Sequence, residues 1–133
     1  MRGVKPEMAF DVCWDVYRSA REVLDTKRNI SAMNVTDVGK FLWRPDIRPR
    51  IGEWVADFTL AGQKALETPD MASRMVLFRV FYLGLAPYDR ARRFLGLSEM
   101  GWVHWTEEIR RRVGRELLDR RMFPPRKYFR QPS

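Results

Sequence analysis

One histidine and one cysteine occur in the 133 residues, His104 and Cys13. Neither has the sequence company that catalysis needs. No serine, cysteine or carboxylate constellation accompanies His104 as a nucleophile–base set would require. Cys13 falls on the apolar stripe of a predicted helix, the setting of an inert thiol rather than a reactive one. With single Cys and His residues, neither an internal disulfide nor a Cys/His zinc site within one chain can form. A phosphate-cradling glycine loop is also missing. The expectation is a protein that is not an enzyme, with no catalytic residue, no metal and no cofactor. The chemistry on offer is that of guanidinium groups. Arg90, Arg92, Arg93, Arg110 and Arg111 suit contacts to phosphate, which give salt-dependent affinity without sequence information. Between them in the chain stand Glu99, Met100, Val103, His104 and Glu107, side chains able to meet base edges. His104 would do so by hydrogen bond, Met100 and Val103 against thymine methyl groups, and the glutamates by accepting from cytosine.

Charge is distributed to match. Residues 1–70 hold 11 Lys and Arg against 11 Asp and Glu, whereas residues 71–133 hold 14 against 6, so the whole net charge of +8 lies in the second half. A one-sided excess of this kind points to a polyanion, with duplex DNA the first partner to consider. No apolar run reaches the roughly 20 residues of a membrane span, and no signal-peptide segment opens the chain. The expected setting is cytoplasmic, with no membrane partner.

The elements that must position these residues read as all-α, a compact bundle of about five or six helices. Pro6–Lys27 carries Phe10, Cys13, Trp14, Tyr17, Ala20 or Arg21, and Leu24 at helical spacing, with Arg18 and Arg21 towards solvent. Asn29–Pro49 is interrupted ground: Ser31 or Asn34 caps a short helix, Val38, Phe41 and Leu42 face inward, and Pro45 and Pro49 stop regular structure. Arg50–Glu67 resumes as a helix, and Thr68-Pro69-Asp70 marks a boundary at which Thr68 or Asp70 caps the next helix. Met71–Leu83 is apolar on nearly every side, which predicts a post buried all round, closed by Gly84 in a left-handed cap. Pro87–Leu95 is short, with Tyr88, Ala91, Phe94 and Leu95 inward. Gly96 permits a tight turn, and Ser98 caps a helix to about Arg120 by accepting from amides near Met100 and Gly101. Trp102, Trp105 or Thr106, Ile109, Val113 and Leu117 form its core stripe. The chain thus divides into 1–49, an N-terminal helix and connector; 50–120, a helical core; and 121–133, a basic tail in which Phe123, Tyr128 and Phe129 either fold back on the core or form an arm.

Two helices joined by a short glycine-containing turn form a helix-turn-helix, here over 87–120. Across Met71–Leu118 the chain resembles the promoter-binding C-terminal domain of bacterial sigma factors. The resemblance is carried by Phe81-Tyr82-Leu83-Gly84-Leu85-Ala86-Pro87-Tyr88-Asp89, then Leu95-Gly96-Leu97-Ser98, with Trp102 where that family usually has a valine. It departs at Arg92, where the family has a small buried residue that Ala91 supplies one place early, and at the acidic, apolar reading face. Nothing in residues 1–70 looks like the larger domain with which sigma factors open promoters. The resemblance implies a sigma-like DNA-binding transcription regulator, with a phage origin one possibility, acting on duplex DNA, RNA polymerase or both. Two alternatives stay open: a protein-interaction regulator of RNA polymerase or a sigma factor without DNA contact, and a phage DNA-packaging or recombination adaptor.

Overall fold

Pro6 opens the first helix, α1 (Pro6–Asn29), which runs two residues past its predicted end. A missing N–H is harmless at a first helical position, Glu7 sits at the positive end of the dipole, and the Lys5 carbonyl accepts from the Met8 and Ala9 amides at 3.1 Å. The computed structural model describes residues 3–29 and 48–129. The expected cap at Ser31 or Asn34, the inward Val38, Phe41 and Leu42, and the break at Pro45 lie outside the described residues. Pro49 does not stop structure. It stands in the first turn of α2 (Arg48–Ala65), where a proline is tolerated. A 3₁₀ turn (Pro69–Met71) comes next, entered from an extended Thr68 whose side chain makes no cap bond. It leads into α3 (Ala72–Leu77) and a continuous π-helix (Phe78–Leu83). After a short link come α4 (Tyr88–Leu95), α5 (Glu99–Asp119) and the one-turn α6 (Pro125–Tyr128). No strand occurs among the described residues, so the all-α class stands. Nor is any described helix long and apolar enough to cross a membrane.

The most extensive packing joins α1 to α5, with α2 laid against both. Ala9, Phe10, Cys13, Tyr17 and Ala20 bury the inner stripe of α1, and Ile109, Val113 and Leu117 bury that of α5. Gly114 makes the crossing possible: a Cβ there would overlap the Pro6 carbonyl. Gly62 does the same for Phe78, whose ring lies where its Cβ would be. Phe10 meets Tyr82 edge-on at 4.9 Å between ring centres, and Tyr17 stacks on Phe58 at the same separation. Arg74 braces α3 to α5, pairing with Glu108 at 3.2 Å and lying 4.9 Å from the Trp105 ring centre. The tail turns back: Met122 is buried, Phe123 packs on the core, and Phe129 lies 5.5 Å from Trp54.

The apolar run departs from expectation in two ways. Met71, Leu77, Phe78 and Tyr82 are buried, but Val76 and Arg79 are exposed, so Met71–Leu83 is a wall of the core and not its central post. Gly84 is right-handed (φ −81°), and it is Leu85 that takes a positive φ of 58°. The reason is the wide π register. Gly84 donates to the Arg79 oxygen at 2.8 Å, five residues back, and Ala86 to Val80 at 3.2 Å. A Cβ on Gly84 would stand 2.8 Å from the Val80 oxygen, so glycine is needed there for close approach.

The carbonyls freed at the end of this helix are taken by α1. Trp14 Nε1 donates to Tyr82 O at 2.9 Å, while the Tyr17 hydroxyl and Arg21 Nη1 each donate to Leu83 O at 2.7 Å. Arg21, expected to face solvent, is drawn inward because its Nη1 finds two acceptors there, Leu83 O at 2.7 Å and the Tyr17 hydroxyl at 2.8 Å. Burial raises the Tyr17 pKa above its ordinary 10.0, with the Arg21 hydrogen bond opposing it.

Candidate nucleic-acid interface

The link between α4 and α5 is built from two local rules. Gly96 adopts φ 66°, its amide donates to Arg93 O, and the Leu97 amide donates to Arg92 O, both at 3.1 Å. This left-handed closure satisfies the last carbonyls of α4 and turns the chain sharply. Ser98 then stands extended, and its Oγ accepts from the Gly101 amide at 3.0 Å, one of the amides expected from the sequence. Below the link, Trp102 is the fixed point. Its ring takes Phe81 and Tyr88 edge-on, at 4.9 and 5.1 Å. Ala91 is fully buried, so it and not Arg92 is the small residue under the turn. Phe94, expected to face inward, is instead 69% exposed, because Ala91 and Leu95 occupy the inner side of α4.

The five proposed reading residues are all on the surface. Glu99, His104 and Glu107 are exposed, as are Met100 at 82% and Val103 at 52%. Helical spacing sets Met100, His104, Glu107, Arg111 and Arg115 on one stripe, and every one of them is exposed. The leading end of α5 is therefore uncovered by any described part of the chain.

The five phosphate candidates separate into two groups. Arg90, Arg93 and Arg111 are exposed, and none of them forms an ion pair or hydrogen bond among the described residues. Arg90 and Arg93 border a shallow cleft with Pro87 and Asp89. Arg92 and Arg110 are placed otherwise. Arg92 folds back on its own turn, donating from Nη1 to Leu97 O at 3.0 Å, with its guanidinium 5.7 Å from the Tyr88 ring centre. Arg110 grips Asp11 of α1 through Nε and Nη2 at 2.8 and 2.7 Å, and this bond raises its pKa further above the ordinary guanidinium range. Both guanidiniums are occupied in holding the fold.

The sequence pattern assigns no role to Arg112 or Arg115. Both belong to a cleft between α5 and the end of α2, together with Lys64 and Arg111. Their spacing from Arg111, one and four residues on, was the available signal. Cys13 is wholly buried, with Sγ 4.0 Å from Met122 O, and desolvation pushes its thiol pKa up to about 12. Among the described residues no three His, Cys, Asp or Glu side chains gather as metal ligands would. No protein-family model, curated protein or solved structure matches this chain.

Proposed function

We propose that α4, the Gly96 turn and α5 form a helix-turn-helix that binds duplex DNA, and that the protein is a sigma-like regulator of transcription. The observation that carries this reading is the bare leading end of α5, standing free beyond a Gly96–Ser98 link with Arg90 and Arg93 exposed on the preceding helix. In this reading Arg90, Arg93 and Arg111 hold phosphates, while Met100, Val103 and His104 enter the major groove, which admits an α-helix. Glu99 and Glu107 narrow the choice of sequence by accepting from cytosine and repelling backbone elsewhere.

The test is duplex binding by fluorescence anisotropy across a salt series. Each phosphate contact contributes about 0.9 to the slope of log affinity against log salt, so Arg90→Ala with Arg93→Ala should flatten the slope by about 1.8. Unchanged binding by that double variant would refute the reading.

One observation favours a second reading, in which the same face meets RNA polymerase or a sigma factor. Phe94, Met100 and Val103 expose large apolar surfaces beside Glu99 and Glu107, a combination more usual at protein interfaces than on phosphate. Co-purification with polymerase from nuclease-treated lysate, lost in Met100→Asp and retained in the arginine double variant, would select it.

A further inference from the structure

Beyond the leading end of α5, its trailing half carries three arginines, Arg111, Arg112 and Arg115, on one cleft. Lys64, Arg111, Arg112 and Arg115 line a cleft of about 570 Å³ with Ala65, Glu108, Glu116 and Asp119. Most of the other charges here are already matched: Glu108 with Arg74 at 3.2 Å, Glu116 with Arg120 at 2.8 Å, and Lys64 with Glu67 at 2.9 Å. Arg112 also lies near enough to Asp70 to help lower its pKa, after the larger effect of the Thr68 hydroxyl. What remains is three arginines, none in a hydrogen bond or ion pair among the described residues, against Asp119. Three guanidiniums spread over adjacent turns of one helix, at a mouth open to solvent, form a surface for a string of phosphates.

We infer that Arg111, Arg112 and Arg115 form a second phosphate-gripping face, which holds the DNA backbone at a distance from the groove entered by the leading end of α5. The inference rests on the proposed duplex binding and extends it. At about 1.5 Å per residue, Met100 and Arg115 stand roughly 22 Å apart along the axis, well beyond the roughly 12 Å width of the major groove. With the exposed stripe continuous between them, α5 lies along the duplex instead of entering it end-on. Arg90 and Arg93 then hold phosphates on one side of the reading turns, and the trailing arginines hold phosphates on the other.

The experiment compares salt slopes for the wild type, the Arg112→Ala/Arg115→Ala double variant, the Arg112→Lys/Arg115→Lys double variant and the quadruple variant that adds Arg90→Ala and Arg93→Ala. A duplex of about 20 base pairs is long enough, at 3.4 Å per pair, to reach both faces. The alanine pair should flatten the slope by about 1.8 and weaken binding roughly ten- to thirtyfold at about 0.15 M salt, with preference among sequences unchanged. The lysine pair should keep most of the slope, and the quadruple variant should lose the sum of both alanine pairs. Unfolding midpoints verify that the variants fold. A wild-type slope in the alanine pair, with the wild type binding duplex normally, overturns this second face and leaves the proposed function standing. Failure of the wild type to bind any duplex overturns both. Loss of tripolyphosphate binding in the alanine pair, with the duplex slope intact, assigns the cleft to a small polyanion and also overturns the inference.

Discussion

Replacing Gly114 with alanine tests the central packing most directly. Its added methyl would occupy the space of the Pro6 carbonyl, which is backbone and has no rotamer by which to yield. Alanine is the better helix former by about 1 kcal/mol, a gain the variant keeps. Against it stands overpacking, typically about 1–3 kcal/mol, and here at the upper end because the clash is with main chain. The net expectation is a loss of about 1–2 kcal/mol, or a fall in melting temperature of roughly 4–8 °C for a chain of this size. Urea and thermal unfolding monitored by circular dichroism measure it. Gly52→Ala is the internal control, because nothing lies within 4 Å of a Cβ there. That variant should be as stable as the parent or gain up to about 1 kcal/mol. A Gly114→Ala protein that melts with or above Gly52→Ala would show that the α1–α5 crossing has room to spare, and the account of the core would fail at its centre.

Arg110→Ala should lower stability by about 0.5–1 kcal/mol, discounted from the strength of a two-point ion pair because Asp11 is half exposed, and should leave the duplex salt slope unchanged. A slope that falls as far as in Arg93→Ala would put Arg110 on DNA after all. Alkaline pH should destabilise the protein through Cys13. Its thiol pKa is raised from the ordinary 9.0 to about 12, so its contribution is complete below pH 9 and is lost as pH climbs towards 12. Between pH 8 and pH 10 the Cys13 share of the loss should reach about 1.4 kcal/mol, a share that Cys13→Ala lacks, so the two stability curves must converge over that interval. Parallel curves would mean that the thiolate finds solvent without unfolding. From about pH 9 upwards the raised pKa values of Tyr17 and Tyr82 add to the slope in both proteins alike.

Features governed by a few neighbouring residues are legible in the sequence. Pro6 at a helix start, the Gly96 turn and the Ser98 cap all act within four residues of themselves. The buried stripes of α1 and α5 came from spacing alone. What escaped depended on partners far along the chain. Arg21 turns inward for a carbonyl 62 residues away, and Arg110 for a carboxylate 99 residues away. Periodicity cannot announce a π register, since the same apolar run satisfies either helix, so the spacing places the left-handed residue at Gly84 where the structure has it at Leu85. Gly114 looked unremarkable because its importance is the space it leaves to Pro6. In the candidate interface, the exposed turns of α5 were found from spacing. Which arginines remain free could be decided only by knowing which carboxylates and carbonyls the fold brings near.

The π-helix at Phe78–Leu83 also fixes a bearing. A chain one residue shorter there could close an ordinary helix, but everything downstream would be rotated by about 100°, the angle one residue subtends. α4 begins five residues after Leu83, so Tyr88 would leave the Trp102 ring and Arg90 and Arg93 would point to another quarter. The compass direction of those two guanidiniums is in this sense set by a residue count in a segment that carries neither of them.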